Sequence, residues 1–318
     1  MNPLQIALSM LGQSYSSDPH MDAKFTAVLE RQLEFIKTRT YDIVYPEMKA
    51  RQIIPVNNDV DSGAETITYR QWDQIGMAQI ITNYGDDFPL IDTLVEEFEQ
   101  KVKSLGAAYE WSVQDLRRSA MAGASLDQRR ARAARRAVEQ QIENIAALGN
   151  AKAGLLGFAK NPNVPLVAPI TGSWDTATGA QMVEDMMNLA GSIVTTNKET
   201  FIPDTAVLPI GRYNRMAITR ISITGDTNST ALEAFLRSSP WVTNVGTWNK
   251  LANANATNNG PRIVCYKRDA EVLTLEIPQE FEQFPPQAKN LSFLVPVHAR
   301  IGGVIVYYPI AMAYMDGT

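Results

Sequence analysis

Few residues of this 318-residue chain could carry acid–base or nucleophilic chemistry: it has two histidines, His20 and His298, and one cysteine, Cys265. A Ser-His-Asp or Cys-His arrangement would have to recruit one of these histidines. His20 stands in a polar N-terminal stretch and His298 between apolar segments, where a hydrogen-bonded structural role is the usual one. Cys265 lies in an apolar run that is typical of a small buried residue. We expect no catalytic residues and a protein that is not an enzyme.

The motifs that hold cofactors and metals are equally sparse. The glycines do not form a phosphate loop followed by Lys-Ser/Thr. Asp86 and Asp87 could bind a cation, but neighbouring aspartates in a turn are usually solvated. Glu96 and Glu97 point to opposite faces of either a helix or a strand, so they cannot act together. We expect no cofactor and no metal.

The remaining chemistry is that of a basic helix over residues 126–148. Three of its arginines, Arg129, Arg132 and Arg136, share one face and could contact phosphates or a neighbouring subunit's carboxylates, or could simply be solvated. The spacing of Arg135 and Glu139 also suits an ion pair within the helix. The chain has a net charge of −5 and a pI near 5.3. Any contact with nucleic acid must therefore be local.

Local signals define this helix well. Ser125 can cap its start, with Gln128 at the capping-box position, and Gly149 ends it. At about 1.5 Å per residue, its length is about 35 Å. One apolar stripe must pack against the rest of the subunit, and its members are Leu126, Ala134, Val138, Ile142 and Ile145.

The N-terminal part before the basic helix contains little that could form its own core. Residues 1–20 predict an extended arm and residues 22–45 an amphipathic helix. Residues 66–72 alternate like a strand, and the apolar run 75–81 predicts its partner in a long hairpin over about 55–90. Because an isolated hairpin is marginal in water, an adjacent subunit could supply its packing surface. Residues 92–112 fit either a helix or two strands that turn at 105–107, and a short helix follows to about 122.

The second half alternates helices and strands, which predicts an α/β or α+β domain with a central sheet. Helices are expected at 178–194, 212–221 and near 229–236, and strands at 205–210, 263–267, 272–277, 291–297 and 304–308. Met182 and Met186 lie on an apolar stripe and are expected in the core. No segment approaches the length of a membrane span, and a single cysteine cannot form a disulfide within the chain. We expect a soluble, intracellular product without a membrane partner.

Several strings in order resemble those of tailed-phage major capsid proteins with the Hong Kong 97-type fold. They are the runs 69–78 (YRQWDQIGMA), 131–136 (ARAARR), 154–156 (GLL), 285–287 (PPQ) and 298–304 (HARIGGV). The resemblance covers most of the chain, although none of the strings is specific alone. It implies an α+β fold with an N-terminal arm (1–54), an extended β-hairpin loop (55–91), a peripheral domain with a long spine helix (92–175 and 283–318) and an α/β axial domain (176–282).

The same resemblance implies a structural protein of the virion. Its copies would assemble through hexamers and pentamers, in the bacterial cytoplasm, into an icosahedral shell around double-stranded DNA. Cement, scaffold and portal proteins are further expected partners. Arg129, Arg132 and Arg136 would face the DNA or a neighbouring subunit, and Ile67, Tyr69, Trp72 and Met77 would form the extended-loop contacts between subunits.

One departure concerns the covalent Lys–Asn bond that joins subunits in some related capsids. Its lysine sits on the extended loop, and this chain has no lysine between Arg51 and Asp92. We therefore expect a non-covalent shell. Two other functions stay open: the shell of an encapsulin-like nanocompartment around an enzyme cargo, and a basic-helix DNA-binding module, which the acidic net charge disfavours.

Overall fold

The computed structural model describes residues 45–77, 90–122, 126–170, 172–221, 229–255 and 260–318. The chain divides into two units, Met1–Glu47 and Met48–Thr318. Only residues 45–47 of the first unit are described, so the fold below is that of the second. The predicted arm helix over 22–45 lies outside the described residues, apart from its last residue.

Six described α-helices are numbered here in chain order: α1 Ala50–Ile53, α2 Val113–Ala122, α3 Leu126–Leu148, α4 Gly179–Thr196, α5 Ile210–Ile218 and α6 Ala231–Ser238. Short 3-10 turns lie at Ala151–Ala153, Asn249–Asn253 and Pro309–Ala311. Within the ranges that the structure describes, no helix is long and apolar enough to cross a membrane.

The described strands form four sheets. They are β1 Val56–Asn57, β2 Thr66–Ile75, β3 Asp92–Lys101, β4 Lys103–Ser112, β5 Leu166–Val167, β6 Thr205–Leu208, β7 Asn244–Thr247, β8 Arg262–Tyr266, β9 Leu273–Glu276, β10 Gln279–Gln283, β11 Gln287–Lys289, β12 Ser292–Ile301, β13 Gly303–Val306 and β14 Met312–Asp316.

The basic helix is confirmed as α3, with the predicted bounds. Its stripe of Ala134, Val138, Ile142 and Ile145 is buried in a core shared with strands β9, β12 and β13. Gly149 ends the helix at φ 72°, and a Cβ there would lie 2.6 Å from the carbonyl oxygen of Leu155. The chain therefore needs glycine at this turn, both for the left-handed conformation and for the close approach of the returning loop.

The extended hairpin is confirmed, but its predicted second strand is wrong. Strand β2 pairs antiparallel with β3 over its whole length, from Thr66 opposite Lys101 to Ile75 opposite Asp92. Residues 75–81 do not supply the partner: Ile75 is the last residue of β2, and 78–89 lie outside the described residues. The apolar run suggested a strand, but the sequence contained no information on which distant segment would pair with β2.

Residues 92–112, for which the sequence pattern allowed either a helix or two strands, form two strands. The predicted turn at 105–107 is wrong, because β3 ends at Lys101 and β4, which begins at Lys103, runs through 105–107. Strand β4 pairs with β12 over ten residues, from Lys103 opposite Ile301 to Ser112 opposite Ser292. Helix α3 packs on this pair. The long-range pairing with β12 satisfies the backbone of a segment whose helical spacing was otherwise plausible.

The second half forms a five-stranded sheet in the order β5-β14-β8-β6-β7, with α4, α5 and α6 packed against it or against each other. Helix α4 begins with a capping box in which Thr178 and Gln181 exchange hydrogen bonds. Met182, Met186 and Leu189 are fully buried in this second core, as predicted.

Some pairings cross the domain boundaries expected from the sequence. The C-terminal strand β14 pairs with β8 in the five-stranded sheet. Strand β9, expected in the axial domain, instead lies between β1 and β13 beside the core of α3. A doubly hydrogen-bonded pair, Arg262 with Asp316, fixes β14 to β8.

Candidate assembly surfaces

The foot of the β2–β3 hairpin is anchored on its own subunit. The amide of Val102 donates to the carbonyl of Glu65 at 2.8 Å, which closes the base of the hairpin. A Cβ at Gly302 would lie 3.0 Å from Cδ1 of Ile67, so Ile67 packs directly on that backbone. Tyr69 stacks on Phe98 across the hairpin at 5.2 Å and meets Tyr307 edge-on at 5.0 Å.

The far end of the hairpin is apolar and exposed. Met77 and Leu90 are 83% and 92% exposed, and Trp72, which lies opposite Val95, is 65% exposed. The other exposed apolar side chains of this surface are Ile75, Ile91, Leu94 and Val95. We call these seven residues the hairpin tip surface. By the strand register these side chains lie on both faces of the hairpin, and large exposed apolar side chains gathered in one region mark a candidate interaction site.

The four predicted extended-loop contacts thus fall into two pairs. Ile67 and Tyr69 are half-buried by contacts within the chain, whereas Trp72 and Met77 lie on the hairpin tip surface. Contact of Trp72 and Met77 with a neighbouring subunit stays a prediction. The apolar residues of β3 were missed, since their spacing in the sequence also suited a helix.

The arginines of helix α3 lie in different environments. Arg130 donates to the carbonyl of Glu110 and lies 3.4 Å from Asp115. Arg135 lies over the Phe281 ring at 5.7 Å. Arg129 and Arg132 are exposed and Arg136 is half-buried. Arg129 and Arg132 of the predicted face are therefore more exposed than Arg130 and Arg136.

The predicted Arg135–Glu139 pair does not form. Glu139 lies 3.4 Å from Arg51, which also makes two hydrogen bonds with Glu280 on β10. This hydrogen-bonded guanidinium lowers the pKa of the Glu280 carboxyl group. Helix α3 is thereby tied to α1 and β10 rather than paired within itself.

A buried carboxylate on α3 joins three parts of the subunit. Glu143 accepts hydrogen bonds from the backbone amides of Lys49 and Ala50, at 3.0 and 2.9 Å, and from the indole of Trp248 at 2.6 Å. We call this arrangement the Glu143 clasp. It fixes the start of α1 and the loop after β7 to the middle of α3.

The residues considered for catalysis are dispersed. Cys265 is buried in β8, and burial raises the pKa of its thiol to about 12. His298 lies in β12 with its ring 6.5 Å from that of Phe284. His20, Asp86 and Asp87 are outside the described residues. No group of three or more metal-binding side chains occurs within the described ranges.

The fold matches solved capsid structures over nearly its whole length. The capsid protein of Myoviridae phage XM1 aligns with a TM-score of 0.79 and 18% identity, over 91% of this chain and 98% of that one. A Mycobacterium phage Adephagia chain aligns with a TM-score of 0.65 and 10% identity, over 96% and 99%. The virus-like particle from Pyrococcus furiosus aligns less well, with a TM-score of 0.50 and 11% identity, over 83% and 91%.

These likenesses establish the Hong Kong 97-like capsid fold, the fold of a class of shell-forming structural proteins. No curated protein sequence matches this chain. The family model described as "Major capsid protein" matches residues 76–318, and the chain belongs to that family. The expected fold class and family are confirmed, and with them the identification as a bacteriophage major capsid protein.

Proposed function

We propose that this capsid protein self-assembles through hexamers and pentamers into an icosahedral, non-covalent shell around double-stranded phage DNA. The hairpin tip surface is the observation that carries this proposal. A two-stranded sheet with exposed apolar side chains gains stability only when a neighbour covers it. A second copy supplies that cover in a closed shell, and its own hairpin is covered in turn by the next subunit.

The absence of lysine between Arg51 and Asp92 supports assembly without Lys–Asn cross-links. The hairpin carries a lysine only at its foot, where Lys101 lies opposite Thr66. That position is at the opposite end from the tip surface. Packing of the hairpin and arm against neighbours, with the help of cement proteins where present, then holds the shell together.

The exposed pair Arg129 and Arg132, with Arg136, supports a non-specific contact with packaged DNA. Phosphate contacts of this kind carry no sequence information and weaken with salt. A neighbouring subunit's carboxylates are the alternative partners for the same face. Scaffold and portal proteins complete the proposed partners, with assembly in the host cytoplasm and residence in the virion.

The domain ranges remain proposals, with boundaries adjusted to the strand pairings. The extended loop runs to 101 rather than 91, because β3 belongs to the hairpin. The axial domain includes 312–316, which pairs with β8. Residues 273–276 belong with the peripheral domain, because β9 pairs with β1 and β13.

A nanocompartment shell around an enzyme cargo is the second candidate function, because the same fold also occurs in a virus-like particle from Pyrococcus furiosus, which is not named as a phage capsid. Negative-stain electron microscopy with sedimentation velocity on the purified chain tests both. Closed particles or rings of five and six subunits support the shell, and particle diameter with internal density separates the two kinds. A monomer or dimer at all salt and protein concentrations would reject both and leave the basic helix as a DNA-binding module.

A further inference from the structure

A cavity of about 510 Å³ lies along the outer edge of β2. Four aromatic residues line it: Tyr69 and Trp72 from β2, with Tyr307 and Tyr308 from the turn after β13. Arg70, Gln71 and Glu271 complete the lining. Its volume is in the range of about 300–1,000 Å³ that is usual for pockets binding small groups. We call it the aromatic pocket.

The cations near the aromatic pocket are already paired. Arg70 makes a 2.7 Å ion pair with Glu97 across the hairpin. Lys267, near Tyr308 through the ring of Phe201, lies 3.6 Å from Asp269. The Glu271 carboxylate, in contrast, is exposed and has no side-chain partner among the described residues. Within the described lining, Glu271 is therefore the charged group that no other side chain pairs, whereas Arg70 is paired with Glu97.

A second acidic group lies beneath the pocket. Glu276 is 0% exposed, and its Oε1 accepts from the hydroxyl of Tyr307, which lines the pocket, at 3.5 Å. Its other oxygen, Oε2, has no hydrogen-bond partner within the described part of the chain. Burial raises the pKa of Tyr307, and the charge of Glu276 acts in the same direction. Glu276 does not line the pocket itself and also accepts from Thr274 and Asn57, so its charge reaches the pocket through the Tyr307 hydroxyl.

Aromatic faces and carboxylates together recognise cations. The negative face of a tryptophan or tyrosine ring attracts ammonium and guanidinium groups, and the attraction grows when the site is partly desolvated. A carboxylate such as Glu271 adds a charge-assisted hydrogen bond. An apolar side chain would leave the Glu271 carboxylate without a side-chain partner among the described residues, so the chemistry of the pocket favours a basic side chain.

We propose that the aromatic pocket binds an arginine or lysine side chain of a second copy of this chain during assembly. The inference rests on the proposed function, because it names the chemistry of one contact in the shell. The pocket is continuous with the hairpin tip surface, since Trp72 belongs to both. A subunit that covers the tip surface therefore lies beside the pocket and can place a basic side chain in it.

Binding of an isolated cation is tested on unassembled subunits with N-acetyl-arginine amide, and N-acetyl-citrulline amide serves as the neutral isostere. The indole N–H signal of Trp72, assigned by its loss in Trp72→Phe, reports occupancy in ¹⁵N NMR. We expect the arginine probe alone to shift this signal, and Glu271→Gln to weaken binding about fivefold. Equal shifts from both probes, or no shift up to about 50 mM arginine probe, would overturn the proposal.

Assembly is tested in parallel by light scattering against protein concentration. Glu271→Gln should raise the concentration needed for assembly about fivefold. Glu96→Gln makes the same charge change at an exposed hairpin residue outside the pocket and should leave that concentration unchanged. If Glu271→Gln weakens probe binding but assembles like the wild type, the pocket takes a free cation and the second-copy contact is rejected. If the wild type itself never assembles, the proposed function fails while the probe titration still decides whether the pocket binds cations.

Discussion

The amide of Val102 donates to the carbonyl of Glu65 at 2.8 Å, so the two ends of the extended hairpin meet at one point of the subunit. The described residues between them form the antiparallel pair of β2 and β3. At this foot, Ile67 packs on the backbone of Gly302 and Tyr69 meets the Tyr307 ring. From β3, the side-chain amide of Gln100 donates to the carbonyl of Gly302. Beyond this foot the described residues of the hairpin are mostly exposed, which makes this part separable from the fold.

Replacing residues 66–101 by a short glycine linker should therefore leave a folded subunit that does not form shells. We expect the free energy of unfolding to fall by about 3 kcal/mol, since the half-buried contacts of Ile67 and Tyr69 and the buried hydrogen bond from Gln100 to Gly302 are lost. Urea unfolding and electron microscopy measure the two effects. Aggregation of the variant as unfolded chain would show instead that the hairpin is part of the subunit core. A shorter deletion that removes β2 and ends within residues 78–89 is a poor test, because β3 would remain without the strand it pairs with.

Neutralising the Glu143 clasp should destabilise the subunit more than any exposed acidic substitution. In Glu143→Gln the buried amides of Lys49 and Ala50 and the indole of Trp248 lose a charged acceptor. We expect a loss of about 2–3 kcal/mol in the free energy of unfolding, measured by urea denaturation.

The matched control is Glu139→Gln, one turn earlier on the same helix. Glu139 is partly exposed and pairs with Arg51 at 3.4 Å, so its loss should cost less than about 1 kcal/mol. Equal losses of unfolding free energy in the two variants would show that the Glu143 clasp contributes no stability beyond the effect of one negative charge on the helix.

The exposed arginine face should govern the salt dependence of DNA binding. Changing Arg129, Arg132 and Arg136 to glutamine should lower the slope of log K against log salt by up to about 2.7 on double-stranded DNA, because each lost phosphate contact removes about 0.9. Fluorescence anisotropy at several salt concentrations measures this slope for the unassembled subunit.

A variant that neutralises Lys198, Arg237 and Lys289 removes the same charge from exposed positions elsewhere. If both triple variants change the slope equally, net charge alone accounts for binding and the face on α3 is not the DNA contact. Unchanged DNA binding with impaired assembly would assign the face to a neighbouring subunit.

The thiol of Cys265 should be inert in the folded subunit. It is buried, and burial raises its pKa to about 12, so the reactive thiolate stays a small fraction at all pH values below that. Reaction with a thiol reagent at pH 8 should proceed only at the rate of unfolding and become rapid in urea. Fast reaction under native conditions, absent in Cys265→Ser, would contradict this and indicate local opening of β8.

Sequence periodicity was enough to predict the elements that pack through a local pattern. The stripe on α3, the end of that helix at Gly149 and the methionine core of α4 follow from helical spacing and from glycine's backbone freedom, and the structure has all three. The order of the short strings along the chain likewise predicted the fold class, because related chains keep that order when their overall sequence identity is low.

The sequence by itself determined the long helices, the apolar stripes that must be covered and the available cations, but it left residues 92–112 open between a helix and strands. Only the tertiary structure decided the strand partners: β3 rather than 75–81 for β2, and β12 for β4. It also decided that Glu139 forms its ion pair with Arg51 instead of Arg135, and it brought Glu271 and Tyr307 beside Trp72. The physical reason is that helical spacing and capping are set within a few residues along the chain, whereas strand pairing, ion pairs across elements and pockets depend on which distant segments the whole core brings together.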